Sequence, residues 1–185
     1  MIKVILFDFY GVFLPDAYGA WLKANGLKRE GIFSELINQL DRSDISESDF
    51  FEQLSRALGR EVQKNEIHQE TRLPDTRLIE TIRRLKPRYT IALFSNASTK
   101  LRNKLDSLEL TPLLDTIIIS SEIGYAKPSD EAFEAALKIL DVRPEEILFI
   151  DDNPKNVEAA EKHAMKACHY TSLDSLDEVM QILIQ

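Results

Sequence analysis

The stretch KVILFDFYGVF, residues 3–13, runs the apolar series Val4, Ile5, Leu6 and Phe7 straight into a carboxylate, Asp8, and then into a turn at Gly11. A short apolar run without polar alternation, closed by polar and turn residues, is the pattern of a strand buried on both faces, and such strands belong to parallel sheets. Four further segments repeat it: TIALFS at 90–95, TIIIS at 116–120, ILFID at 147–151 and KACHY at 166–170. Between the last four lie helical spacings: Leu101, Leu105 and Leu108, then Phe133, Ala136, Leu137 and Leu140, then Val157, Ala160 and Ala164. Ser129 after Pro128, and Asn153 before Pro154, mark helix starts. The alternation predicts an α/β, Rossmann-like core: a doubly wound, parallel five-stranded sheet with helices on both faces.

One gap breaks the alternation. The first two strands are about eighty residues apart, where a crossover needs about a dozen. No strand pattern occurs between Pro15 and Pro74, but amphipathic stretches do, such as Phe50, Leu54, Ala57 and Leu58 after Ser46. The expectation is a small, all-helical insertion over residues 15–74, with residues 1–14 and 75–185 forming the core. Leu78, Ile79, Ile82 and Leu85 then mark the crossover helix that returns the chain to the sheet.

Composition narrows the function classes. The 185 residues carry a formal net charge of −8, which argues against nucleic acid and anionic membranes as partners, since both are bound through basic patches. No apolar run approaches the roughly 20 residues of a membrane span, and the N-terminal stretch lacks a secretory cleavage pattern. The single cysteine, Cys168, excludes an intrachain disulfide and a cysteine metal cage. A cytoplasmic location is expected. Nothing in the sequence specifies an oligomeric state.

Ligands of open parallel sheets bind beyond the carboxyl ends of the strands. Four strand ends carry polar groups: Asp8 after the first, Ser95 with Asn96 at the second, Lys127 in the turn after the third, and Asp151 with Asp152 at the fourth. Each has a plainer reading as a cap, a turn residue or a surface charge. Together they point to one site. Three aspartates brought near one another repel, which implies a compensating cation; a hard divalent ion with oxygen ligands fits, and Mg²⁺ is the usual choice beside phosphate.

FDFYGV around Asp8, FSNAS around Ser95, GYAKPS around Lys127 and FIDDN around Asp151 and Asp152 resemble, in order and spacing, the four motifs of the haloacid dehalogenase superfamily of hydrolases. The insertion after the first motif resembles that of its helical-cap subgroup. The resemblance implies a phosphatase acting on a small phosphorylated metabolite. Asp8 would be the nucleophile, forming an aspartyl-phosphate that water hydrolyses. Asp8, the Tyr10 carbonyl and Asp152 would ligate Mg²⁺, with Asp151 close by. Ser95 would donate to a phosphate oxygen, Lys127 would pair with nucleophile and phosphate, and N–H groups near Gly11 and Asn96 would complete the cradle. The cap would gate solvent and select the leaving group.

Position 10 departs from that pattern. Phosphatases of the superfamily place a second aspartate there as general acid and base; this chain has Tyr10, as do 2-haloacid dehalogenases, whose halide leaves without a proton. Those dehalogenases work without metal and lack the acidic pair, which this chain keeps at Asp151 and Asp152. The pair defines a metal site, so the phosphatase reading leads, with turnover slowed by Tyr10. A dehalogenase-like hydrolase and a weakened module that binds a phosphorylated ligand are the alternatives.

Other residues receive structural expectations. Cys168 and His169 point to opposite faces of a strand and form no catalytic pair. His68 and His163 are expected on helix surfaces. Tyr18 and Trp21 are expected to pack within the cap, and Asp41, Asp44, Glu47 and Asp49 to form a solvated cap surface.

Overall fold

The computed structural model of the chain describes residues 1–67 and 73–176; the expectation for His68 lies outside them. Strands β1 (Val4–Phe7), β2 (Thr90–Ser95), β3 (Thr116–Ile119), β4 (Ile147–Asp151) and β5 (Lys166–His169) form one parallel sheet in the order β3-β2-β1-β4-β5. Side chains alternate between its faces. Ile5, Phe7, Ile91, Leu93, Leu148 and Ile150 enter one hydrophobic cluster, while Val4, Leu6, Ala92, Phe94, Ile147 and Phe149 enter the other. Every second residue faces a helical layer, so both sets must be apolar, which is why the strands carry no polar alternation.

The helices of the described residues are α1 (Ala17–Ala24), α2 (Ile32–Asp41), α3 (Glu47–Leu58), α4 (Lys64–Ile67), α5 (Thr76–Leu85), α6 (Lys100–Ser107), α7 (Ser120–Ile123), α8 (Asp130–Leu140) and α9 (Pro154–Lys162). Leu78 and Ile82 of α5 and Leu101 and Leu105 of α6 cover the first face. Phe133 and Ala136 of α8 and Ala159 and Ala160 of α9 cover the second. The sheet is therefore doubly wound, as expected. None of these helices is long and apolar enough to cross a membrane.

Helices α1 to α4 share a separate cluster containing Tyr18, Trp21, Leu22, Leu36, Phe50, Leu54, Val62 and Ile67. Tyr18 and Trp21 lie inside it, and the Tyr18 hydroxyl donates to the Phe33 carbonyl (3.0 Å), so both are packing residues. Ser46 opens α3 with a reciprocal capping box to Asp49.

Some expectations shift. The third and fifth strands end one residue earlier than 120 and 170, with Ser120 starting α7, and after β1 Phe13 and Leu14 turn back to donate to the Phe9 carbonyl (2.9 and 3.2 Å). On α9 the buried positions are Asn156, Ala159 and Ala160, whereas Ala164 lies beyond the helix, exposed and at φ 60°. The inward face is thus one residue earlier than Val157, Ala160 and Ala164 imply. His163 is the C-cap of α9, stacked on Phe133 at 5.2 Å, and is half-buried instead of on the surface.

Candidate active site

The chain runs from β1 outward to β2 and β3, then crosses back to β4 on the other side of β1. The strand order reverses between β1 and β4, which opens a crevice at their carboxyl ends. The Asp8 N–H donates to the Ile150 carbonyl (2.8 Å), so Asp8 leaves the sheet beside Asp151. Oxygens of Asp8, Asp151 and Asp152 all lie within 4.8 Å of one another.

Lys127 closes the cluster from below. Its buried Nζ donates to Asp8 Oδ1 (2.8 Å), Asp151 Oδ2 (2.7 Å) and the Phe94 carbonyl (2.7 Å). It also lies 5.0 and 5.2 Å from the ring centres of Phe94 and Phe149, whose faces favour a cation. The loop is fixed by Asn96, whose side chain donates to the Lys127 carbonyl (2.7 Å) and accepts from its N–H (2.8 Å). Asn96 thus reaches the site through its side chain, by holding the lysine.

Asp151 is fully enclosed. Its Oδ1 accepts from the Asn153 N–H (2.8 Å), and Asn156 Nδ2 reaches Oδ1 and Oδ2 at 3.1 and 3.0 Å. With Lys127 on Oδ2, both its oxygens are occupied by protein donors. Asp152 is more open and stands against Gly11: a Cβ on Gly11, which has φ 99°, would overlap the Asp152 carboxyl. The Gly11 N–H donates to the Leu14 carbonyl (2.5 Å), so what this glycine visibly provides is room. Ser95 is buried, and among the described residues its hydroxyl has no hydrogen-bond partner.

The electrostatics follow from burial and crowding. Burial pushes the Asp8 carboxyl up to about 7; Asp151 adds to the rise and Lys127 opposes it. Burial, then Asp151 and Asp16, raise Asp152 to about 6. Burial would lower the Lys127 ammonium, but Asp151 and Asp8 outweigh it and hold it above its ordinary value. Burial and then Asp41 push the Tyr10 phenol up to about 12, so it stays protonated near neutral pH. Two raised carboxyls beside an enclosed Asp151 are a donor set that a divalent cation would relieve, and the partnerless Ser95 hydroxyl suits an anionic oxygen.

Sequence reasoning missed three residues of this site. Asn156 escapes a helical face phased on Val157, Ala160 and Ala164, which lies one residue late; its place, five residues after Asp151 in the first turns of α9, is the signal that points to it. Asp16 caps α1 and pairs with Arg29 (2.8 Å). Asp41 does not belong to a solvated surface: it is half-buried, and Asp8 and Lys127 are among the charges acting on it. Glu47 also departs from that expectation, bridging Lys64 (2.8 Å) of the cap and Lys100 (3.0 Å) of α6. Cys168 is buried, while His169 Nε2 donates to the Asp152 carbonyl (2.9 Å), so the two do not meet.

A carboxylate and lysine cluster at the switch point of a doubly wound sheet, in a chain with a helical insertion after its first strand, fits the class of α/β hydrolases. The chain belongs to the haloacid dehalogenase-like hydrolases, whose family model matches residues 2–163. It is 29% identical over 181 residues to the D-ribitol-5-phosphate phosphatase of Bacteroides thetaiotaomicron, covering 85% of this chain and 86% of that protein. It is 30% identical over 159 residues to a sesquiterpene phosphatase of Aspergillus oryzae, covering 82% and 79%. A HAD-like family hydrolase of Porphyromonas gingivalis superposes with a TM-score of 0.72 at 25% identity, covering 100% of this chain and 99% of that one.

Proposed function

We propose that the protein is a Mg²⁺-dependent phosphatase that hydrolyses a small phosphomonoester through an aspartyl-phosphate on Asp8, in the cytoplasm, with residues 15–74 acting as its cap. The observation that carries this reading is the buried Lys127 held between Asp8 and Asp151 with Asp152 alongside. The phosphatase names of its relatives agree with it.

Asp8, the Tyr10 carbonyl and Asp152 would hold the metal; Asp151, whose oxygens already accept from Lys127, Asn153 and Asn156, instead orients the lysine. Bound there, Mg²⁺ supplies positive charge to offset that of the phosphoryl oxygens. A phosphate dianion can approach an anionic nucleophile only where its oxygens meet donors. Lys127 supplies one from beneath Asp8, and the Ser95 hydroxyl, with no partner of its own, supplies another. Asp8 attacks phosphorus, the ester oxygen departs, and water then cleaves the aspartyl-phosphate. Lys127 also keeps Asp8 from being wholly protonated near neutral pH, since its charge opposes the rise caused by burial.

Tyr10 favours one competitor, halide displacement from a 2-haloacid. Such a substrate is an anion without phosphate's need for a metal, and three clustered carboxylates would repel it. The test is phosphate release from a panel of small phosphomonoesters with and without Mg²⁺, in wild type and Asp8→Asn, with short 2-haloacids in parallel. Mg²⁺-dependent release abolished in Asp8→Asn is expected. Metal-independent halide release, or no phosphate release from any ester, would refute the proposal.

A further inference from the structure

Because of Tyr10, the position two residues after Asp8 carries no carboxylic acid, and the other carboxylate of the loop after β1, Asp16, caps α1 and pairs with Arg29 (2.8 Å), yet an alkoxide leaving phosphorus needs a proton. The end of α2, which carries Asp41, lies at the same edge of the sheet, within reach of the charges of Asp8 and Lys127. Asp41 is the last residue of α2, and its backbone carbonyl accepts from Ser120 Oγ (2.9 Å). That hydroxyl accepts in turn from the Ala97 N–H (2.9 Å), two residues beyond Ser95. The end of α2 is thereby tied to the carboxyl ends of β2 and β3, the edge that also carries Ser95 and Lys127.

The Asp41 carboxyl is half-buried, and among the described residues no hydrogen bond or ion pair engages it. The charges bearing on it are Arg29 and Asp16 of the cap, and Asp8 and Lys127 of the core. Asp41 is in turn the foremost charge acting on Tyr10. Its acidic neighbours behave differently: Asp44 pairs with Arg42 (2.8 Å), and Asp49 caps α3.

Building on the phosphatase reading, we propose that Asp41 is the catalytic acid and base of this enzyme, supplying from the cap what Tyr10 cannot supply from the core. As Asp8 forms its bond to phosphorus, the bond from phosphorus to the ester oxygen breaks, and that oxygen takes the Asp41 proton. The resulting carboxylate removes a proton from the water that attacks the phosphorylated Asp8. The bond between Asp8 and phosphorus then breaks, freeing phosphate and restoring both carboxyls. Burial, only partly opposed by Arg29, holds the Asp41 carboxyl well above the ordinary range, which keeps a proton available for the first half of this cycle.

The test compares kcat/KM of wild type and Asp41→Asn, with Mg²⁺ present, on an alkyl monophosphate and on 2,4-dinitrophenyl phosphate, whose leaving group needs no proton. The variant is expected to lose about 10²–10⁴-fold on the alkyl ester and at least about tenfold less on the dinitrophenyl ester. A structural role would lower both alike, so equal losses, or none, overturn the assignment of Asp41. A wild type inactive on both esters overturns the phosphatase reading itself, and this inference with it. The Ser120 bond is made to the backbone and survives the substitution; unchanged thermal melting confirms the fold, and Asp41→Ser gives the same readout if the asparagine packs poorly.

Discussion

A lysine ammonium shielded from water has to be stabilised by the protein, and Lys127 is held by Asp8, Asp151 and the Phe94 carbonyl at 2.7–2.8 Å. Removing it leaves two buried carboxylates facing each other. Lys127→Met is therefore expected to abolish phosphatase activity and to destabilise the protein by about 3–5 kcal/mol, measured by urea unfolding. Asp8 carries a pH signature. Between its unfolded value of 3.8 and its folded value of about 7, the folded protein keeps a proton that the unfolded chain has lost. The folded state then binds more protons, so the stability of the metal-free protein falls as pH rises through that window. Asp152, raised to about 6, contributes in the same direction over a narrower one. Asp8→Asn should thus melt higher than wild type at pH 8 in EDTA, with the difference shrinking as pH falls through the window and closing only near pH 4. A calorimetric difference that ignored pH would contradict the raised Asp8.

At the scale of elements, α9 positions chemistry as well as covering the sheet. Asn153 caps it, and Asn156, one turn in, directs its amide nitrogen at both oxygens of Asp151. Asn156→Ala is expected to cost about 1–3 kcal/mol by removing one donor from a buried carboxylate, and to lower turnover by loosening Lys127, whereas Val157→Ala on the same helix should leave turnover near wild type. The cap helices bury a cluster distinct from those flanking the sheet, centred on Leu54, which is 0% exposed. Leu54→Ala should destabilise them by about 2–5 kcal/mol and speed hydrogen exchange in α1 to α3 well before it does so in β1, β2 and β4. These elements also show what was readable beforehand. The strands of the core stood out because burial on both faces forces a continuous apolar run, and Asp8, Ser95, Lys127 and Asp151 stood out because each follows such a run. Asn156 did not, since one turn of helix admits two neighbouring phases and only packing selects between them. Asp41 did not either, because its position depends on where the end of α2 meets Ser120, a contact between residues 79 positions apart.

Over the whole molecule, the net charge of −8 and the site pull in different directions for the two ligands. An acidic protein attracts a divalent cation from a distance and repels a phosphate ester, so the site must be locally positive before substrate arrives. Lys127 alone does not achieve this, because it faces both Asp8 and Asp151. For the proposed Mg²⁺ and ester, the expected order of binding is metal first, drawn by the long-range field, then ester. Salt weakens the first attraction, since the Debye length shrinks from about 30 Å at 0.01 M to about 10 Å at 0.1 M. The Kd for Mg²⁺, measured by calorimetry without substrate, should therefore rise severalfold between those ionic strengths. Asp152→Asn should raise it further at either one, because Asp152 is the most open of the three carboxylates and has the fewest protein donors to replace. The same variant should leave Lys127 paired with Asp8 and Asp151, so a Kd that did not change in Asp152→Asn would place the metal elsewhere in the molecule.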